Sequence, residues 1–184
     1  MTTLPSATTV SSRVLPHLRR ALLVTVGAML VALAAQFAVP LPGTPVPMTL
    51  QPLAVLIVGG LLGPGYGALS LAVYLEMGAV GLPVFTPLGA PGLARLFGPT
   101  GGFLLAYPMA AALVGWVVQR NVGTSEGDIR SAVPSFKRST LAALAGIVTI
   151  HVGGAAQLLV LTGSAQSAIA MGLVPFILGD LLKV

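Results

Sequence analysis

The sequence predicts an all-α integral membrane protein that crosses the bilayer several times. Of its 184 residues, 55% are hydrophobic and 7% are charged, whereas a soluble domain carries about 25% charged residues. Nine Lys and Arg with four Asp and Glu are too few to cover the surface of a soluble fold. The apolar stretches are continuous rather than alternating, which favours membrane helices over a membrane β-barrel.

The N-terminal segment differs in composition from the apolar stretch that follows it. Residues 1–20 are predicted to form a disordered tail, since Met1–Pro16 is rich in Ser and Thr. The stretch after Arg20 is long enough to span a bilayer and has no obvious small-residue cleavage site. It therefore predicts a retained helix, and residues 21–184 are predicted to form one transmembrane domain.

Apolar runs and the breakers between them define the predicted helices, and a spanning helix needs about 20 residues. The five predicted helices are Ala21–Val39, Met48–Leu62, Tyr66–Leu82, Phe103–Val118 and Arg138–Thr162. Gly63-Pro64-Gly65 separates the second from the third, because Gly and Pro interrupt helices. The predicted loops are the Pro-rich Leu41–Pro47, the Gly/Pro-rich Pro83–Gly102 and the polar Gln119–Lys137.

The C-terminal region leaves two interpretations open. Ser164–Leu173 is too short to span alone, and Pro175 and Gly179 interrupt the apolar run that follows. Asp180 precedes Leu-Leu-Lys and is typical of a helix N-cap, so a sixth spanning helix is predicted to begin there. The given chain would then be truncated after the first turn of that helix. The alternative is one kinked helix over Ala168–Val184.

The basic residues predict the orientation, because short cytoplasmic loops carry an excess of Lys and Arg. Most of them lie in the N-terminal tail and in or beside the loop Gln119–Lys137. An even number of predicted crossings separates these two segments, so both are predicted to be cytoplasmic in a multi-pass protein of the cell membrane. The Pro-rich loop, Arg95 and Asp180 then fall on the outer side.

Three ionisable residues on the predicted outer side are candidates for a ligand site. Asp180 and Lys183 are three residues apart and share a helix face. They form either a local ion pair with a helix cap or part of a pocket for a polar ligand. Arg95 either snorkels at the membrane interface or attracts an anion such as a carboxylate.

Glu76 and His151 lie inside predicted helices, where structural roles compete with functional ones. They are the only candidates for a catalytic pair, so a small intramembrane enzyme is one alternative function. The sequence has no metal-ligand cluster, nucleophile elbow or Walker motif, and its few scattered basic residues do not indicate nucleic-acid binding. It therefore predicts no catalytic residue, no metal and no bound cofactor.

Small and aromatic side chains give weaker signals. Ala28 and Ala32 form a small-xxx-small pair, which lets helix backbones approach closely. Six aromatic residues near helix ends or loops are predicted to be mostly interfacial, with some lining a pocket. They are Tyr66, Tyr74, Phe85, Phe97, Phe103 and Tyr107.

Five short motifs follow one another along the chain. They are Pro45–Gln51, Gly63-Pro64 with Gly67–Ser70, Gly81–Phe85, Gly98–Phe103, and Pro175-Phe176 with Gly179–Lys183. In this order they resemble the BioY family, the biotin-specific substrate-binding (S) subunits of energy-coupling-factor (ECF) transporters. The resemblance extends from about Ala21 to the last residue.

The resemblance implies a six-helix S-component bundle, of which this chain would hold five spans and the start of the sixth. It implies high-affinity biotin binding and uptake, with the pocket of this substrate-binding domain on the outer side. The residues expected to bind biotin are Asp180, Lys183, Arg95, Thr49, Gln51, Phe85 and Tyr107.

The resemblance also implies partner subunits and leaves two alternatives. Helix one would dock through Ala28 and Ala32 to a transmembrane coupling subunit, which two ATPase subunits would drive. The chain departs from the family pattern at Gln157, near a position where Trp is common. An S component for a different vitamin and a biotin transporter that works without ATPases remain possible functions.

Overall fold

The computed structural model describes residues 7–120, 135–177 and 179, with side chains from residue 15 onward. Six α-helices account for most of this part of the chain. They are α1 Ala7–Gln36, α2 Gln51–Ala79, α3 Ala94–Phe97, α4 Gly101–Gln119, α5 Phe136–Thr162 and α6 Ala165–Gly172. A 3-10 turn at Val174–Phe176 follows α6, and two short antiparallel strands, β1 Ala38–Val39 and β2 Met48–Thr49, join α1 to α2.

Helix α2 is a hairpin of two helical arms, residues 51–62 and 64–79, which meet at Gly63. Gly63 has φ 77° and ψ −178°, outside the helical range. The Nε2 of Gln51 lies 2.6 Å from the hydroxyl oxygen of Tyr74, whereas a straight helix would separate the two residues by about 35 Å. A Cβ on Gly67 would lie 3.1 Å from the Cα of Gly59, so the arms pack against each other. The predicted break at Gly63-Pro64-Gly65 is confirmed.

Small residues bring α2, α4 and α5 into close contact. A Cβ on Gly59 would lie 2.5 Å from the carbonyl oxygen of Ala111, and one on Gly102 would lie 2.2 Å from that of Gly153. Such close approach is typical of helices that associate in membranes. Four described helices are long and apolar enough to cross a membrane. Because α2 folds back, all five predicted helical segments are present, and the all-α membrane fold is confirmed.

The start of the first helix differs from the prediction. Helix α1 begins at Ala7, whereas the sequence predicts that the first helix begins at Ala21. Arg19 and Arg20, which precede the apolar stretch, do not mark the start of the helix, because Leu and Arg both favour helical structure. The part that is apolar enough to span is Leu15–Gln36.

After α5 the chain does not continue as one long helix. Helix α6 has 8 residues, too few to span alone, as predicted. Leu173 leaves helical geometry and a 3-10 turn follows it. The N-terminal half of the alternative, a single kinked helix over Ala168–Val184, is therefore contradicted. The predicted sixth helix from Asp180 lies outside the described residues.

The two ends of the bundle differ in charge. Gly63 lies against the side chain of Gln119, so the elbow of the α2 hairpin and the C-terminal end of α4 are at one end, here called the elbow end. The β1–β2 ladder and α3 are at the other, here called the loop end. Because α5 runs antiparallel to α4, Lys137 and Arg138 lie at the elbow end with Arg120, whereas Arg95 lies at the loop end.

We expect Gly63→Ala to destabilise the hairpin. An Ala would be strained at φ 77°, and its Cβ would lie 2.4 Å from the Nε2 of Gln119, so we expect a loss of about 1–3 kcal/mol of unfolding free energy. The measurement is thermal unfolding of the purified protein in detergent. Gly65→Ala is the matched control, since nothing lies within 4 Å of its Cβ position. Equal stability of the two variants would contradict the strained reversal.

Candidate binding site

A cavity at the loop end is lined by the loops that precede α2 and α4 and by helices α2, α4 and α5. Its volume is about 50 Å³, which is small beside the roughly 300–1,000 Å³ that is usual for small-molecule sites. Five residues predicted from the sequence to bind ligand line this one cavity. They are Thr49, Gln51, Phe85, Arg95 and Tyr107.

The floor of the cavity is polar because α2 begins there with Gln51, which is 3% exposed. Its Nε2 donates a hydrogen bond to the hydroxyl of Tyr74 at 2.6 Å. The hydroxyl of Thr49 donates to Oε1 of Gln51 at 3.3 Å, and the backbone N–H of Gln51 donates to that hydroxyl at 3.3 Å. The carboxamide is thereby held at both of its ends.

Arg95 is a buried cation, 5% exposed, on the short helix α3. Its guanidinium donates to the hydroxyl of Thr86 at 3.1 Å, to the carbonyl oxygen of Thr86 at 2.7 Å and to the carbonyl oxygen of Leu88. Its buried Nε makes no hydrogen bond to any described residue. Loss of solvation lowers the pKa of the Arg95 guanidinium, but arginine titrates so far above neutrality that the group stays cationic. The cavity is therefore lined by a positively charged group whose Nε–H donor is not used by the described residues.

An aromatic group forms one wall of the cavity. The rings of Phe103, His151 and Phe176 have centroids 5.9 to 6.2 Å apart, and the contacts of His151 are edge-to-face. The Phe103 ring occupies the space that a Cβ on Gly154 would fill, at 2.2 Å. The Nδ1 of His151 lies 3.0 Å from the carbonyl oxygen of Ile147. Because a carbonyl only accepts, Nδ1 carries the proton. His151 is thus a hydrogen-bonded packing residue that also faces the cavity.

Side chains from distant parts of the chain hold the surrounding loops in place. Gln36 at the end of α1 donates to the carbonyl oxygen of Phe85 at 3.3 Å, and Thr44 donates to that of Met171 at 2.7 Å. Gln157 donates to the carbonyl oxygens of Leu96 and Gly98, each at 3.1 Å. The position at which the sequence departs from the family pattern therefore stabilises the loop before α4.

Other predicted site residues lie elsewhere. Asp180 and Lys183 lie outside the described residues, although Gly179 lies against Met48 next to the cavity loop. Glu76 is exposed and does not line the cavity, so it does not form a catalytic pair with His151 there. In the described part of the chain, no three His, Cys, Asp or Glu side chains come together to hold a metal ion.

Ala28 and Ala32, the pair predicted to dock to a coupling subunit, face the interior of the bundle. Both are buried inside the bundle, with exposures of 0% and 6%, in the same core as Leu71 and Tyr74 of the second α2 arm. Next to them, a Cβ on Gly27 would lie 2.6 Å from the hydroxyl of Ser70. The small side chains thus serve the contact between α1 and α2 within the chain and leave no surface for another subunit.

Sequence reasoning did not single out Tyr74 among the six aromatic residues that are predicted to be mostly interfacial, with some lining a pocket. It is completely buried between Gln51 and Phe85, and its ring meets that of Phe85 at 5.5 Å and 79°. The signal that could have identified it is the break at Gly63, since Tyr74 and Gln51 lie at similar distances from that reversal.

A helical membrane bundle whose cavity combines a buried cation, a fixed carboxamide and aromatic walls is a substrate-binding membrane protein.

The BioY family profile matches residues 5–184 of the chain. The chain is 34% identical over 139 residues to the "Probable biotin transporter BioY" of Pyrococcus horikoshii, covering 76% of this chain and 74% of that one. It is 32% identical over 154 residues to the "Biotin transporter BioY" of Thermotoga maritima, covering 84% and 82%.

A solved structure has the same fold. The crystal structure of the S-component for biotin from an ECF-type ABC transporter matches with a TM-score of 0.75 and 25% identity. The match covers 91% of this chain and 86% of the other. The chain therefore belongs to the BioY family, as the ordered motifs of the sequence predicted.

We expect Gly89→Ala to disturb the position of Arg95. Gly89 has φ +108°, and a Cβ there would lie 2.8 Å from the Nη1 of Arg95. The combined backbone strain and crowding is expected to lower the unfolding free energy by about 2–4 kcal/mol. Gly81→Ala is the matched control, since Gly81 has φ +97° with nothing within 4 Å of its Cβ position. Thermal unfolding of both variants measures the difference. Equal losses would mean that the guanidinium is not held against Gly89.

Proposed function

We propose that this chain binds biotin in the loop-end cavity and acts as the substrate-binding subunit of an ECF-type transporter. Membership of the BioY family and the likeness to the S-component for biotin support the proposal. The observation that carries it is Arg95, a cation buried in a cavity whose other described walls are mainly apolar and aromatic.

The chemistry of biotin matches such a cavity. Biotin has a carboxylate at one end, a ureido group with N–H donors and a carbonyl acceptor at the other, and an apolar thioether ring and tail between them. Arg95 is the only described lining residue with a permanent charge. Its Nε has no hydrogen-bond partner in the described chain. We therefore place the carboxylate at Arg95, since charge-assisted hydrogen bonds to guanidinium are strong.

The remaining contacts follow from the same assignment. Phe85, Phe103 and Phe176 provide apolar surface for the ring and tail. Gln51 and Thr49 provide polar contacts on the floor. Asp180 and Lys183 remain sequence-based assignments: a deprotonated Asp180 would accept the ureido N–H groups, and Lys183 would provide a second cation.

The charge distribution supports an orientation with the elbow end in the cytoplasm. Arg120, Lys137 and Arg138 lie at that end, and short cytoplasmic segments are rich in Lys and Arg. The cavity would then open to the outside, from which a vitamin is taken up. The N-terminus would be cytoplasmic.

We further propose that uptake requires ECF partners, a transmembrane coupling subunit and two ATPase subunits that bind ATP. The support is the S-component fold and the absence of a Walker motif from the sequence. Biotin uptake by cells that express this chain alone would contradict this part of the proposal. Uptake that depends on co-expressed partners is the expected result.

Titration of the purified protein with biotin in detergent tests the proposed function directly. We expect Arg95→Gln to weaken biotin binding at least about tenfold, because it removes charge-assisted hydrogen bonds worth about 1.5–3 kcal/mol. Arg120→Gln is the control, since Arg120 lies at the elbow end over the Trp116 ring. It is expected to leave the affinity unchanged.

A neutral ligand separates the charge of Arg95 from its role in the loop. Biotin amide lacks the carboxylate, so Arg95→Gln is expected to change its affinity less than about threefold if only the charge pair is lost. Equal weakening of biotin and biotin amide would mean that the substitution collapses the loop instead of removing a partner of the carboxylate.

Asp180→Ala and Lys183→Ala are each expected to weaken biotin binding by about 2 kcal/mol or more, because each leaves a buried polar group without its partner. The same titration measures the effect. Glu76→Gln is the control, because Glu76 is exposed and outside the cavity. Affinities within about threefold of the parent would refute the two assignments.

A further inference from the structure

Tyr74 does not line the cavity, yet it contacts two residues that do. Its hydroxyl accepts the hydrogen bond from Gln51 at 2.6 Å, and its ring meets Phe85 edge-on at 5.5 Å. Gln51 begins the first arm of α2, Tyr74 lies in the second arm, and Phe85 belongs to the loop that follows. One buried side chain therefore supports both the floor and a wall of the cavity.

The orientation of the Gln51 carboxamide decides which group faces a ligand. A Gln side chain has an acceptor end and a donor end, and the torsion that exchanges them is broad and weakly restrained. Here Thr49 donates to the oxygen at 3.3 Å, and the nitrogen donates to Tyr74 at 2.6 Å. The shorter contact is the one to Tyr74, so the Tyr74 hydroxyl is the principal restraint on the amide.

The hydroxyl of Tyr74 has no other described hydrogen-bond partner, and the side chain is completely buried. Burying a hydroxyl in an apolar interior is unfavourable unless it is hydrogen-bonded. A Phe at this position would pack the same ring against Phe85 without that penalty. The hydroxyl therefore has its use in the contact with Gln51.

We infer that Tyr74 is a positioning residue of the binding site, whose hydroxyl holds the Gln51 carboxamide in one orientation toward the ligand. The inference rests on the proposed function, biotin binding in this cavity. Gln51 makes the ligand contact, and Tyr74 acts through it.

A double-mutant cycle on biotin affinity tests the inference. Tyr74→Phe keeps the ring and its contact with Phe85, and it is expected to weaken biotin binding about three- to tenfold, the size of one hydrogen bond. Gln51→Leu is expected to weaken binding at least as much. Because Tyr74 acts through Gln51, the double variant is expected to bind within about twofold of Gln51→Leu alone. Tyr66→Phe, on the same arm but 37% exposed, is the control and should match the parent.

Two results would overturn the inference. One is a parent-like affinity for Tyr74→Phe. The other is an additive cycle, in which the double variant binds more weakly than Gln51→Leu by the full factor of Tyr74→Phe, because the hydroxyl would then act without Gln51. A loss confined to thermal stability, with affinity unchanged, would assign Tyr74 a structural role only.

The design separates folding from binding. Tyr74→Phe leaves the Gln51 amide buried without its partner, whereas replacing both residues removes the unpaired group and is expected to restore stability. The comparison of Gln51→Leu with the double variant is therefore made on folded protein even if Tyr74→Phe alone is unstable. A parent that does not bind biotin overturns the proposed function and this inference with it, whereas a parent that binds with an additive cycle overturns only the inference.

Discussion

Lipid offers no hydrogen bonds, so the polar groups of this bundle must find their partners within the chain. The hydroxyls of Ser70, Thr149 and Thr162 each donate to the carbonyl oxygen four residues earlier in their own helix. Gln51 and Tyr74 satisfy each other across the α2 hairpin. The reversal at Gly63 allows the hydrogen bond between Gln51 and Tyr74, because it brings the two arms of α2 side by side. The polar floor of the cavity is thus a consequence of the hairpin.

Glycine and alanine determine where the bundle is closed and where it is open. Toward the elbow end, Gly59, Gly115 and Ala111 let α2 and α4 approach backbone to backbone, which leaves no room for a ligand. Toward the loop end the facing side chains are larger, among them Phe103, Tyr107 and Ile150, and the loops complete the enclosure. Close packing at one end and aromatic packing at the other produce a cavity that is closed toward the elbow end. Such a site can bind a ligand without opening a path through the membrane.

The sequence predicted the helical segments well because Gly, Pro and charge mark their ends directly. It predicted the cavity residues Thr49, Gln51 and Phe85 because they lie in ordered motifs, which are specific even at modest identity. Arg95 was a candidate as a basic residue on the predicted outer side, and Tyr107 as an aromatic residue near a loop. It did not predict the face of α1 that carries Ala28 and Ala32, since a small-xxx-small pair fits an internal and an external contact equally well. It also did not distinguish Tyr74 from the five other aromatic residues near helix ends or loops, because no local pattern indicates a partner 23 residues away. Local breakers can be recognised in a sequence, whereas the partners of a helix face depend on tertiary packing.

The environment of Arg95 explains how a buried cation can be held without destabilising the loop. Burying a guanidinium is unfavourable unless its donors are paired, and Thr86 and Leu88 pair the terminal nitrogens with three acceptors. Two of these acceptors are backbone carbonyls, which are neutral, so none of these three hydrogen bonds cancels the charge of the group. The loop therefore fixes the geometry of the cation without neutralising it. A carboxylate in place of those carbonyls would also pair with the guanidinium, but it would neutralise the positive charge that the neutral carbonyls leave in place.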